Sequence, residues 1–136
     1  MSLNNNETPM LHRFWQGIGG TLIEEFYAVR RGLGHSERRI DGVIIKNGET
    51  SIKRQNEVEI AGQEIIVVQV KTGRLGMYVM GQGLFSARLM QRFEPKSIES
   101  VILVEKNDDI LAPLLEEFPE VRVIVDDIDG VRRSSK

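Results

Sequence analysis

Four consecutive β-branched residues, Ile65-Ile66-Val67-Val68, within the segment Glu64 to Lys71, constrain this chain more than any other feature. Side chains of a strand alternate between its two faces, so an unbroken apolar run needs cover on both. This predicts a central strand held between two helical layers. The segment Ser100 to Glu105 repeats the pattern with Val101-Ile102-Leu103-Val104. A second strand covered on both sides is therefore expected beside the first.

The remaining elements are read by periodicity and punctuation. A helix is predicted from Leu11 or Trp15 to Arg31, carried through Gly17, Gly19 and Gly20 and stopping before Gly32-Leu33-Gly34. Arg39 to Lys46 reads as a short strand. Asn47-Gly48 is a tight-turn signal, so part of Ser51 to Ile60 is expected to return as the other arm of a hairpin. Ala61-Gly62 then turns the chain into the Glu64 strand. A second helix is expected over Leu75 to Phe93, ended at Glu94-Pro95. Asp108-Asp109 caps a third over Ile110 to Phe118, and Val121 to Val125 forms the last strand. The order is helix, three strands, helix, strand, helix, strand. Helical crossovers imply parallel pairing and the tight turn implies an antiparallel pair. The expectation is an α/β three-layer sandwich with a mixed sheet between helices.

A chain of 136 residues is one domain's worth, here placed at 11–128, with flexible ends at 1–10 and 129–136. No apolar run is long enough for a membrane span and no secretory leader pattern is present, so a cytoplasmic location is expected. Cysteine is absent and the two histidines, His12 and His35, are far apart in sequence. A bound metal would have to be held by oxygen. The net charge of −2 lacks the basic footprint of a strong nucleic-acid binder. Cations nevertheless cluster locally at Arg30-Arg31, Arg38-Arg39, Lys53-Arg54 and Lys71 to Arg74.

Candidate chemistry gathers where the central strand ends. Gln69 and Lys71 are two residues apart and project from one face, where hydrocarbon gives way to an amide and an ammonium. The alternative is that Lys71 only marks the strand's return to water. Asp41 lies at the start of the preceding strand, beside Gly42. On the predicted first helix, Glu25 falls at the margin of an apolar stripe formed by Ile18, Leu22, Phe26, Val29 and Leu33, whereas Glu24 falls on the wet side. A carboxylate at such a margin is either neutralised, hydrogen-bonded or bound to a cation, or it snorkels to solvent.

Taken in order, an acid on the first helix, Asp41 in Arg-Arg-Ile-Asp-Gly, and Gln69-Val70-Lys71 resemble the signature of the restriction-endonuclease-like, or PD-(D/E)xK, nuclease superfamily. The resemblance is nearest to its Mrr-type and archaeal Holliday-junction-resolvase-like branch and covers about Trp15 to Val125. Two departures stand out: Gln69 replaces the commoner acid, and the segment between the Asp41 and Gln69 strands is long. The resemblance implies Mg²⁺ or Mn²⁺ held by Asp41, the Gln69 side-chain oxygen and the Val70 carbonyl. It assigns catalysis to Glu25, Asp41, Gln69 and Lys71, and DNA as substrate with Arg39, Lys53 and Arg74 as nucleic-acid contacts. It also implies a homodimer, since a duplex has two strands to cut. The alternative is a nucleic-acid-binding or regulatory module of the same fold with a disabled site, and a third reading is an unrelated small-molecule binder. Gly17-Ile18-Gly19-Gly20 lacks the strand that precedes a phosphate-binding loop. The small residues Gly76, Gly81, Gly83 and Ala87 suggest close helix packing or a dimer contact.

Overall fold

Gly19 and Gly20 adopt positive φ values of 79° and 86° and stop the first helix half-way through its predicted span. In the computed structural model, which describes residues 3–126 and the backbone of 132–134, helix α1 runs over Glu7–Ile18. It begins inside the stretch expected to be a flexible end, and both Glu7 and Met10 are buried there. The rest of the predicted helix is strand β1, Thr21–Val29. Its Thr, Ile, Phe, Tyr and Val residues favour the extended chain, and apolar spacing that mimicked a helical stripe does not outweigh two left-handed glycines. Glu24 and Glu25 are therefore strand residues, and the helical argument for Glu25 falls.

Strand β2 is Arg38–Ile45, followed by a two-residue strand β3 at Ser51–Ile52 and the long strand β4 at Glu64–Arg74. Helix α2 spans Met77–Met90, strand β5 Ser97–Lys106, helix α3 Ala112–Leu115 and strand β6 Val121–Asp126. A final strand β7, Arg132–Ser134, lies in the segment expected to be a flexible tail. Asp127 to Val131 lie outside the described residues. The sheet order is β3-β1-β2-β4-β5-β6-β7. Strands β4, β5 and β6 are parallel, joined by α2 and α3, while β1–β2, β2–β4 and β6–β7 are antiparallel.

Two other expectations change. The Asn47-Gly48 turn does reverse the chain, with the Gly48 N–H donating to the Ile45 carbonyl at 3.2 Å. Its return arm does not pair with β2, because β4 occupies that edge through pairs such as Val43↔Val67; β3 instead runs parallel to β1 on its outer side. The third helix shrinks to one turn without a side-chain cap; Asp108 instead holds the turn before it, accepting from the Ile110 and Leu111 N–H groups at 2.9 Å.

The sheet is buried on both faces. On one, Met10, Leu11 and Phe14 of α1 pack on Leu22, Ile44, Ile66, Val68, Val101 and Leu103. On the other, Met90 of α2 covers Ile23, Val43, Ile65 and Val67, and Val79, Ala112 and Leu115 cover Ile102, Val104 and Val123. Alternate residues of the apolar runs thus feed opposite cores, as strand pairing covered on both faces requires. The molecule is an α/β sandwich with a mixed sheet. Beyond β3, the outer edge of β1 is closed by a side chain: Gln55 Oε1 accepts from the Tyr27 N–H at 2.8 Å and its Nε2 donates to the Tyr27 carbonyl at 3.0 Å. Among the described residues no helix is long and apolar enough to cross a membrane.

Candidate metal and nucleic-acid site

The sheet is irregular at one place, and that place is Asp41. Ile40 belongs to the core under α2, while a Cβ on Gly42 would come within 2.9 Å of Leu11 of α1. In a regular strand these two positions would share a face. Strand β2 therefore turns over at Asp41, and on the neighbouring strand Glu25 takes a left-handed φ of 53° between the pairs Glu24↔Gly42 and Phe26↔Ile40. Glycine at 42 lets α1 lie against the sheet immediately beside the irregularity.

Pairing between β2 and β4 ends at Gly42↔Val68, and the Asp41 carboxylate takes over where the ladder stops. Its Oδ2 accepts from the Val70 N–H at 2.8 Å. A strand residue sends its N–H and C=O to the same side, so the Val70 carbonyl is directed into the same gap. Asp41 is 1% exposed and Gln69 2%. Gln69 is oriented by α2, its Nε2 donating to Ser86 Oγ at 2.5 Å. That leaves two buried oxygens with no protein partner, Asp41 Oδ1 and Gln69 Oε1. Each such oxygen costs about 1–3 kcal/mol unless something else satisfies it.

A further buried carboxylate, not singled out by the sequence reading, acts on Asp41. This is Glu7, in the first turn of α1 and 5% exposed. Burial pushes the Asp41 carboxyl up to about 6, the Val70 N–H opposes this, and the negative charges of Glu7 and Glu25 push further upward. Glu7 is fixed by a capping box: Asn4 Oδ1 accepts from the Glu7 N–H at 2.8 Å and Glu7 Oε1 accepts from the Asn4 N–H at 3.3 Å. The pattern Asn-x-x-Glu ahead of Met10, Leu11 and Phe14 is the signal that would have placed this helix start and its acid.

The other candidates divide. Lys71 follows two residues after Gln69 on β4 and is exposed. Glu25 acts on Asp41 through its charge, but its Oε1 accepts from Arg39 Nη1 at 3.0 Å. Glu24 instead meets His12 of α1 at 2.6 Å. Arg39 is thus committed to Glu25, and also to Glu37 at 3.1 Å. Lys53 lies 3.5 Å from Glu49, in a groove shared with Tyr27, Arg30 and Arg54. Arg74 turns away, donating to the Asn107 carbonyl at 2.6 Å. The three proposed nucleic-acid contacts do not form one cluster.

No three of His, Cys, Asp and Glu gather as a metal-binding set among the described residues. The polar atoms left over on these adjacent strands are of another kind: a carboxylate oxygen of Asp41 and an amide oxygen of Gln69, both buried and without a protein partner, with a further buried carboxylate, Glu7, in α1. Hard oxygen donors of this sort fit Mg²⁺ or Mn²⁺, which keep several waters and need few protein ligands. Compared with known proteins, the chain matches no family model, no curated protein and no solved structure.

Proposed function

We propose that this protein is a metal-dependent nuclease that hydrolyses DNA phosphodiesters, built on a restriction-endonuclease-like fold. The observation that carries the reading is the pair of buried, unpartnered oxygens, Asp41 Oδ1 and Gln69 Oε1, on adjacent strands at the point where their pairing stops. The arrangement around them follows the superfamily resemblance, with one change: the acid on the first helix is Glu7 rather than Glu25. A bound divalent cation supplies Lewis acidity toward the scissile phosphate and makes a water more acidic.

The chain's own groups have separable roles in this reading. Asp41 and Gln69 would hold the ion through Oδ1 and Oε1, with the Val70 carbonyl as a further donor. The Val70 N–H locks the Asp41 carboxylate, and Ser86 locks the Gln69 amide, so both oxygens are preorganised. Glu7 orients water on the α1 side of the site. Lys71, exposed on β4 two residues after Gln69, meets the charge that builds on the phosphoryl oxygens.

Linear, branched and single-stranded DNA incubated with Mg²⁺ or Mn²⁺ tests the reading. Cleavage by the parent protein, lost in Asp41→Ala and Lys71→Ala variants that still fold, is the expected result; an inert parent on every substrate overturns it. A second reading, a DNA-binding module with a disabled site, is favoured by the neutral Gln69 where the superfamily commonly has an acid. It predicts DNA binding without cleavage in the same assay.

A further inference from the structure

Between β1 and β2 the chain projects as a narrow basic hairpin with an apolar tip. The Gly32 N–H donates to the His35 carbonyl at 3.2 Å, leaving Leu33-Gly34 as a two-residue corner. The His35 ring lies over Gly32 so closely that a Cβ there would fall 2.6 Å from it, which fixes the corner's shape. At its apex Leu33 is 110% exposed, more than any other large apolar residue described. The arms carry Arg30, Arg31, Arg38 and Arg39 against the single acid Glu37, in a chain whose net charge is −2.

Arg39 of this hairpin is engaged in ion pairs with Glu25 and Glu37, as Arg13 and Arg122 are with other acids, whereas among the described residues neither Arg30 nor Arg31 has an acidic partner. The Arg30 guanidinium is held over the Tyr27 ring at 4.3 Å. The ring interaction orients the charge without neutralising it. An isolated apolar side chain beside two cations without acidic partners, Arg30 and Arg31, suits a polyanion whose interior is apolar, and duplex DNA has that construction: phosphates outside and stacked bases within.

We propose that this hairpin is a duplex-DNA probe, with Arg30 and Arg31 seated on phosphates and Leu33 inserted as a wedge at a base step. The inference rests on the nuclease reading for the identity of the polyanion and extends it to the kind of DNA preferred. The hairpin's second arm continues into β2 and reaches Asp41 eight residues after Leu33. At about 3.3 Å per extended residue the wedge lies up to roughly 26 Å from Asp41, or about seven to eight base pairs of duplex. Wedge insertion must offset the loss of stacking, so duplexes with a weakened step, such as a mismatch or a bulge, are favoured over perfect ones.

Fluorescence of 2-aminopurine placed along a duplex of about thirty base pairs tests this. The full chain is used in EDTA, so that cutting is absent, and affinity is followed against salt. Expected is a rise in fluorescence at one or two steps. Leu33→Ala should reduce it at least about five-fold while the salt slope is kept, and Leu33→Phe should restore it. Arg30→Ala with Arg31→Ala should lower the slope of log affinity against log salt by about two. Thermal melts should be unchanged for Leu33→Ala, because the side chain packs on nothing. An unaltered signal in Leu33→Ala, an unaltered slope in the arginine variant, or a parent protein that binds single strands, RNA or no nucleic acid in place of duplex, overturns the proposal. Unstacking by a protein that never cleaves with Mg²⁺ or Mn²⁺ sinks the nuclease reading and leaves the probe standing; cleavage without unstacking does the reverse.

Discussion

Asp41 is the residue on which structure and chemistry most conflict. A carboxyl held near pH 6 by burial is more readily protonated in the folded chain than in the unfolded one, where its value is about 3.8. Its contribution is therefore neutral to stability below about pH 4. The fold weakens as pH rises through the interval to about 6 and then carries a penalty of about 3 kcal/mol. Asp41→Asn keeps an acceptor for the Val70 N–H and removes the charge. It should raise unfolding stability by up to about 3 kcal/mol at pH 8 and by nothing measurable at pH 4, as read by urea denaturation at both values. Mn²⁺ should add stability at pH 8 to the parent protein and not to this variant. Gln69 poses the complementary case. Gln69→Glu adds a charge beside Asp41, and should tighten Mn²⁺ binding about ten-fold or more, measured by calorimetry, while destabilising the metal-free fold. Unchanged affinity would remove Gln69 from the site.

At the scale of elements, the start of α1 decides where Glu7 stands. Asn4→Ala opens the capping box and should cost about 1 kcal/mol of stability. If Glu7 orients water, the same variant should also lower the cleavage rate, with Glu7→Gln lowering it further at unchanged stability. The elements differ in how plainly the sequence displays them. Strands β4 and β5 are legible because their β-branched runs admit one arrangement, a strand covered on both faces, and Gln69-Val70-Lys71 is legible with them. Helix α2 is legible from its length and from Glu94-Pro95. Strand β1 is not, because Ile18, Leu22, Phe26 and Val29 sit at spacings that also fit a helical stripe, and only the backbone conformation of Gly19 and Gly20 separates the two. With it went the helical placement of Glu25, while Glu7, which does stand on the first helix, was passed over. The reversal of β2 at Asp41 was invisible for another reason: it depends on α1 meeting Gly42, a contact between elements that no local pattern encodes.

For the molecule as a whole, α1 is fastened to β6 by an ion pair. Its Arg13 binds Asp126 of β6, with Nε–Oδ1 at 3.1 Å and Nη2–Oδ2 at 2.5 Å, and the Asp126 side chain is 1% exposed. Arg13→Ala strands that carboxylate in the interior and should destabilise the protein by about 3 kcal/mol, seen as a lower denaturation midpoint; Asp126→Asn in the same background should recover part of the loss. The margin of the sheet beside β1 is held differently. There one carboxamide, that of Gln55, stands in for a whole neighbouring strand by saturating both peptide groups of Tyr27. It works as a latch: a single rotamer change unfastens it, and the bared backbone then offers another chain a place to add on. Gln55→Ala should barely alter the melting of dilute protein, yet it should make concentrated solutions self-associate, a difference light scattering against concentration would register.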